Sequence, residues 1–310
     1  MALTLLEAAK LSNDVLQRGV IQTFARNSAI LEMLPWMEIA GNSYKYNQEQ
    51  TLPGIAFRTV NNGYTESCGV VNQLSEGLYI LGGDVDVDKF LIQTRGNVQD
   101  IRAIHTEMKA KALALEFTRA FFKGDAAQVG QFDGLQKRLT GTQVIDGKDE
   151  YLKIGMIDEL IDAVEGEPDA LFMSKTMRRE LKKVLQNSKH YIENGSDAFG
   201  RPVSTYGGIP LRIIETDGAG VDILGFNEAN KAATGNDTSS IYAIKFGAEQ
   251  YVGGLRNGGV NVRDLGEIDE KPVFRTRIEF YCGMAVFHPR AAGRLKFVKK
   301  GVPEPEQPQT

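Results

Sequence analysis

The sequence predicts a mixed α+β fold built around one long helix, and three observations point to it. Helical spacing runs unbroken from Asp100 to Lys123. The stretch before it, Ser43 to Gln93, has the alternation and turn residues of extended chain. Beyond residue 150, short amphipathic helices are interleaved with strands. At 310 residues with 42% hydrophobic content, the chain is long enough to bury a sizeable core.

The N-terminal stretch from Leu3 to Leu34 shows helical spacing only in pieces, with Leu5, Ala9 and Val15 followed by Val20, Phe24 and Leu31. Pro35 breaks the pattern, and such a segment needs a larger body to lie against. In the next stretch Tyr44 and Tyr46 alternate with Lys45 and Asn47, and Gly54 to Val60 forms a second extended run. Asn61-Asn62-Gly63 is a turn signal, because Asn and Gly tolerate positive φ. A third run, Leu78 to Leu81, leads through Gly82-Gly83 into Asp84 to Ile92. Isolated hairpins are marginal in water, so Ser43 to Gln93 is expected to be ordered only in an assembly.

The long helix takes Asn97 as N-cap and Gly124 as its stop, with Ile101, Ile104, Met108, Ala112 and Leu115 as its core stripe and Phe121 and Phe122 at its end. Met108 and Leu115 are expected to face the core. Ile154 to Val164 forms a short helix with an acidic outer face of Asp158, Glu159 and Asp162. Ala170 to Met173 is a strand, and Ser174 caps a helix from Lys175 to Gln186. That helix buries Met177, Leu181, Val184 and Leu185, leaving Lys175, Arg178, Arg179, Lys182 and Lys183 outside. Strands follow at Leu211 to Glu215 and Ile241 to Phe246, then a hairpin from Tyr251 to Leu265 turning at Asn257-Gly258-Gly259. Val273 to Tyr281 alternates, with Phe274, Thr276, Ile278 and Phe280 on one side and Arg275, Arg277 and Glu279 on the other. The Pro-rich residues 301–310 read as a disordered tail.

The net charge of −4 argues against a protein whose main task is gripping nucleic acid, so DNA contact is expected to be weak and non-specific. Cys68 and Cys282 are too few for a disulfide framework, the N-terminus is not that of a signal peptide, and no apolar run suits a membrane helix. No membrane partner is expected. Asp84, Asp86 and Asp88 at alternate positions suggest a calcium loop, but Lys89 stands where its glycine belongs and the intervening residues are β-forming. Gly218-Ala219-Gly220 lacks the third glycine of a dinucleotide fingerprint, since Ile223 occupies that place, and reads as a surface turn. His105 sits on the long helix near Glu107 but lacks the second histidine four residues away that a zincin pair needs, and His190 and His288 lie in segments with no obvious acidic or nucleophilic partner. The basic helix face lacks interleaved aromatics for single-strand stacking and reads as solvated or protein-facing. Neither a catalytic constellation nor a cofactor site emerges, which points away from an enzyme.

Four stretches carry a resemblance. Leu34-Pro35-Trp36-Met37 to Tyr64, and Gly96 to Leu139 with Phe132-Asp133-Gly134-Leu135, are the first two. The third runs from Ala170-Leu171-Phe172-Met173-Ser174 through Tyr191, Phe199-Gly200-Arg201-Pro202-Val203 and Gly208-Ile209-Pro210-Leu211. The fourth is Arg277 to Leu295 with Phe287-His288-Pro289. In order and spacing they resemble the major capsid proteins of tailed bacteriophages, whose fold is also used by encapsulin shells. The resemblance implies an N-terminal arm (1–43), an extended β-hairpin loop (44–95), a peripheral domain with a long spine helix (96–149 and 266–300) and an inserted axial domain (150–265). It implies a subunit that assembles with itself, as pentamers and hexamers, into the icosahedral head shell around double-stranded DNA, made in host cytoplasm and ending in the virion. An encapsulin-type compartment is the alternative.

Some members of that family carry a helical scaffolding segment before the arm; Met1 and the short lead-in here make a separate scaffolding protein the expectation, with a portal and a decoration protein as further partners. The loop from Gly54 to Ser75 has no lysine, so the lysine–asparagine cross-link of some shells is not expected. Candidate subunit contacts are Phe57, Arg58 and Tyr64 on the loop, the acidic Asp158, Glu159 and Asp162, and the basic Arg178, Arg179, Lys182 and Lys183.

Overall fold

The computed structural model describes residues 20, 23–24, 28–94, 98–188, 193–196 and 202–301. The expectations for Leu3 to Gly19, the Asn97 cap, His190, the resemblance at Phe199 to Arg201 and the tail beyond residue 301 lie outside the described residues. In chain order the elements are α1 (Ala29–Met33), β1 (Trp36–Glu38), β2 (Ser43–Thr51), β3 (Val70–Gly77), β4 (Tyr79–Asp88), α2 (Lys89–Thr94) and α3 (Val98–Lys123). Then come α4 (Leu135–Arg138), β5 (Val144–Tyr151), α5 (Ile154–Asp162), β6 (Ala170–Met173) and α6 (Lys175–Asn187). The remainder is β: β7 (Glu193–Ser196), β8 (Pro202–Tyr206), β9 (Ile209–Ile213), β10 (Glu228–Ala229), β11 (Asn236–Ile244), β12 (Val252–Arg256), β13 (Asn261–Glu267), β14 (Val273–Val286) and β15 (Ala292–Lys299).

Two sheets pack against one side of α3. One has five strands in the order β1-β12-β14-β13, with β4 on the other flank of β14; the second has eight, in the order β5-β15-β11-β6-β9-β8-β7, with β10 beside β11. The second sheet is buried on both faces at its centre, β6 and β11, and their residues alternate accordingly. Ala170 and Phe172 of β6, with Tyr242 and Ile244 of β11, join the core around α3. Leu171, Met173, Ile241 and Ala243 point the other way, into a second core closed by Ile157 and Leu160 of α5 and Met177, Leu181 and Leu185 of α6. Ser174 caps α6 as read from the sequence, accepting from Met177 N at 3.2 Å.

The first core is aromatic. Trp36 packs between Phe117 and Phe280, with ring centroids 5.4 and 5.2 Å away, and Phe122 lies 5.0 Å from Tyr242. Trp36 fits because Gly254, its register partner on β12, has no side chain; a Cβ there would sit 2.6 Å from the indole ring. Past the end of α3 the chain doubles back through Phe132-Asp133-Gly134-Leu135. Gly134 donates to the Gly124 carbonyl at 3.0 Å, an approach that a Cβ on Gly134 would block at 2.6 Å from Gly124 N.

Three readings are corrected. The core stripe of α3 is Thr106, Ala110, Leu113, Ala114, Phe117, Thr118 and Phe121, whereas Ile104 and Met108 are 55% and 61% exposed, Ala112 is exposed and Leu115 is half-buried. The helix is only weakly amphipathic, so two apolar stripes compete, and the aromatic one wins because its rings fill the space between the sheets. The extended run through Gly82-Gly83 does not reach Ile92: β4 pairs with β14 over Tyr79–Asp88 and gives way to α2 at Lys89. This part of the segment expected to need an assembly therefore belongs to the folded body. The Tyr251 to Leu265 stretch is not a hairpin. β12 and β13 lie end to end along one flank of β14, Arg256 opposite Cys282 and Asn261 opposite Glu279, with Asn257-Gly258-Gly259 a bulging link between them. Strand pairing also joins stretches that lie far apart in the chain. β12 and β13 join the sheet of β14, while β5 and β15 join the sheet of β6 and β11. Alternation gives a strand its faces but not its neighbours, and these pairings span long sequence separations.

Substitution should reveal the true stripe of α3. Phe117→Ala is expected to cost about 3–5 kcal/mol through cavity formation, and Met108→Ala no more than about 0.5 kcal/mol, in denaturant unfolding. A larger loss at Met108 than at Phe117 would restore the discarded register.

Candidate subunit interface

The hairpin of β2 and β3 stands out because its base is fastened and its tip, among the described residues, packs against nothing outside the hairpin itself. At the base, Tyr46 and Tyr44 close on Phe287, ring centroids 4.8 and 6.2 Å away, beside Ile39, Leu255 and Ala285. The Tyr46 hydroxyl donates to the Val286 carbonyl at 3.1 Å, and Gln48 Nε2 to that of Phe287 at 3.2 Å. On β3, Glu76 forms a two-point ion pair with Arg138 of α4, both side chains about five-sixths buried (15% and 16% exposed). Burial, with the Glu76 carboxylate second, pushes the Tyr46 hydroxyl up to about 12. The α4 anchor is itself placed by the Gly124–Gly134 contact at the end of the long helix.

Beyond Thr51 the paired ladder stops, and residues 52–69 have no regular structure and are exposed throughout. The turn read at Asn61-Asn62-Gly63 is present, with Asn61 at φ 70° and Asn62 N donating to the Thr59 carbonyl at 3.2 Å. The tip is nonetheless apolar. Leu52, Ile55, Phe57, Val60 and Tyr64 are all largely uncovered, Ile55 and Phe57 almost completely so. Of the loop candidates, Arg58 lies over the Tyr64 ring at 5.3 Å and donates to the Asn62 carbonyl, while Phe57 projects alone. A run of this size exposed by one subunit marks an interaction surface.

The charged candidates lie on α5 and α6, which pack on the same face of the eight-stranded sheet. Asp158, Glu159 and Asp162 are exposed, and Asp158 accepts from the Tyr206 hydroxyl at 2.6 Å. On α6, Arg179 and Lys183 are exposed and Arg178 and Lys182 half-buried; Lys183 lies 3.5 Å from Glu180, a buried carboxylate that the sequence reading left off the core face. Among the described residues no ion pair joins the two faces within the subunit. Arg178 instead edges a groove of about 980 Å³ between α1, the Met108–Leu115 side of α3 and the chain from Leu211 to Gly220.

The chemistry motifs resolve into structure. Asp84 and Asp86 make two-point pairs with Arg277 and Arg275 across β4 and β14, at 2.7 Å for the shorter contact of each. These arginines hold both carboxyls below the usual range. Gly218-Ala219-Gly220 is a turn in which Asp217 Oδ1 accepts from Ala219 N and Val221 N. His288, read as lacking an acidic partner, lies 2.9 Å from Glu165, which sequence distance concealed. Cys68 is exposed and Cys282 buried, the latter thiol raised by burial. Among the described residues no group of three or more His, Cys, Asp or Glu side chains is placed to hold a metal ion.

Residues 13–157 match the family model described as major capsid protein GP7. No curated protein matches the chain. Among solved structures, the holo-SrpI encapsulin complex of Synechococcus elongatus is similar at TM-score 0.69 and 17% identity, covering 100% of this chain and 99% of that one. The capsid of an empty GTA particle gives 0.60 at 15%, covering 88% of this chain and 90% of that one. A Mycobacterium phage Bobi structure gives 0.60 at 13%, covering 86% and 89%. The resemblance to phage major capsid proteins therefore holds in the family model over the first half of the chain. The fold, over nearly all of it, is the one shared by phage capsids and encapsulins. Together they support a structural, shell-building role.

The hairpin anchor carries a pH signature. The folded state holds the Tyr46 proton up to about 12, whereas an unfolded tyrosine loses it near 10. Between those values the unfolded or detached state binds fewer protons, so the anchor weakens as pH rises through that window. Amide exchange across β2 is expected to accelerate from pH 10 to 12 in the natural protein, beyond its intrinsic pH dependence, and to lack that extra rise in Tyr46→Phe. Equal pH profiles would remove Tyr46 from the anchor.

Proposed function

We propose that this chain is the major capsid protein of a tailed bacteriophage, which assembles with itself into the icosahedral shell around the double-stranded DNA genome. The observation that carries this reading is the apolar tip of the hairpin, held out from a fastened base with nothing among the described residues of its own subunit to cover it. Covering one such side chain is worth about 1.5–3 kcal/mol, and association costs about 4–15 kcal/mol. One exposed residue would not hold two subunits together, but the five of this tip acting together offset that cost. The match to major capsid protein GP7 favours the phage reading. On it, the subunit works with a separate scaffolding protein, a portal and a decoration protein, meets DNA weakly, assembles in host cytoplasm and is not an enzyme. The acidic face of α5 and the basic face of α6 meet between neighbours, head to tail around each ring. Exposed pairs are worth about 0–1 kcal/mol each, so they act on assembly rate and fidelity more than on stability.

A second reading, an encapsulin-type compartment, is favoured by one observation. The similarity to the holo-SrpI encapsulin spans the whole chain.

Electron microscopy of the purified protein tests the shell directly, with closed particles of uniform size expected. A protein that stays monomeric with and without a scaffolding partner would sink both readings. The contents of particles isolated from infected cells separate them: double-stranded DNA for the first, an enclosed enzyme for the second. In the same assembly assay, reversing Arg179 and Lys183 to Glu should slow particle formation at low salt. Adding Asp158→Lys and Asp162→Lys should restore part of the rate, and no recovery would mean the two faces do not meet.

A further inference from the structure

Two segments of this chain have strand character and an unfilled side, and their faces match. β4 pairs with β14 over its whole length, and among the described residues its other edge has no strand partner. An open edge of this length presents a row of backbone donors and acceptors to any extended segment. Residues 54–60 are such a segment: β-forming in composition, exposed throughout, and outside every ladder.

The alternation on the two sides agrees. On β4, Val85 and Val87 point inward to the body, while Asp84, Asp86 and Asp88 point outward. On the tip segment, Ile55 and Phe57 share one side and Arg58 takes the other. An added strand with Ile55 and Phe57 on the inward side therefore brings Arg58 to the row of carboxylates. Room exists for it. A recess of about 310 Å³ lies beside the edge, bounded by Asp84, Val85 and Asp86 of β4 and by His105, Met108 and Lys109 of α3. Met108, the exposed apolar residue of the discarded stripe, would be covered there. The nine-residue ladder of β2 holds this tip roughly 30 Å from its own base, where β4 begins, so the edge it meets belongs to another subunit.

We propose that residues 54–60 of one copy add as a strand to the open edge of β4 in a second copy, with Ile55 and Phe57 toward Met108 and Arg58 toward Asp84, Asp86 and Asp88. The proposal rests on the shell reading and specifies its contact. Backbone pairing supplies the attraction, and the side-chain alternation fixes which face is down.

Proline scanning distinguishes backbone pairing from side-chain packing, because proline removes an N–H donor and successive N–H groups of a strand point to opposite sides. Proline and alanine are placed singly at Ile55, Ala56, Phe57, Arg58 and Thr59, alanine serving as the reference at each site (for Ala56, the natural residue). The unassembled variants should keep the natural unfolding midpoint, since the tip is outside every ladder. Relative to alanine, prolines at alternate positions should raise the protein concentration needed for assembly by about fivefold or more, the worth of one net hydrogen bond, and those between should leave it within about twofold. Outward-facing β4 amides should also exchange more slowly in particles than in free subunits. Particles whose proline effects show no alternation, or whose β4 amides gain no protection, would overturn the strand pairing and leave the shell reading intact. A natural protein that forms no particles would overturn both.

Discussion

The apolar tip of the β2–β3 hairpin is a surface that none of the described residues of its own subunit covers, and the rest of the structure is arranged around that constraint. The ladder ends at Thr51 and Val70, and the residues between are exposed without exception. A soluble monomer gains nothing from holding Ile55 and Phe57 in water, so selection for the free subunit alone does not account for them. What the subunit does provide is direction. Tyr46, Gln48 and the Glu76–Arg138 pair fix the base against β14 and α4, and α4 is fixed by the close approach of Gly124 and Gly134 at the end of α3. The long helix thus sets the aim of the hairpin as well as the core.

The same logic orders the energetics. The body has cores of its own: one side of α3 packs against both sheets through an aromatic core, and α5 and α6 close the second core on the other face of β6 and β11. The extension is poor in internal contacts and has a fixed root. Such a division separates folding from assembly. Losses in the core act on the stability of each subunit, whereas losses at the tip act on how subunits combine, because a preorganised root lowers the ordering cost of each contact.

Much of this was legible in the sequence where local chemistry decides. Ser174 announced the cap of α6, Asn61-Asn62-Gly63 the turn at the tip, and the alternation of Thr276, Ile278 and Phe280 the buried face of β14. What failed was whatever depends on distant neighbours. Ile104 and Met108 read as core because their spacing is helical, yet Phe117 and Phe121 on the adjacent stripe fill the volume between the sheets. The glycine-centred link at residue 257 looked like a hairpin turn, because nothing local shows that the long β14 receives both β12 and β13 on one flank. The anchor partners are likewise remote: Arg138 is 62 residues from Glu76, and Val286 is 240 from Tyr46. The residues at the tip could be nominated from sequence, but their complete exposure is a property of the fold.

The central claim is that the tip is bare in the free subunit and covered in the assembly. Oxidative footprinting of Phe57 and Tyr64, read by mass spectrometry on free subunits and on isolated particles of the same protein, measures this directly. Both side chains should label readily in the free subunit, and labelling should fall at least about fivefold in the particle, a change far beyond that of Tyr151 on the body if that residue remains at the particle surface. Equal labelling of Phe57 in the two states would contradict the account, since the surface on which it rests would then be left in water by the assembly as well.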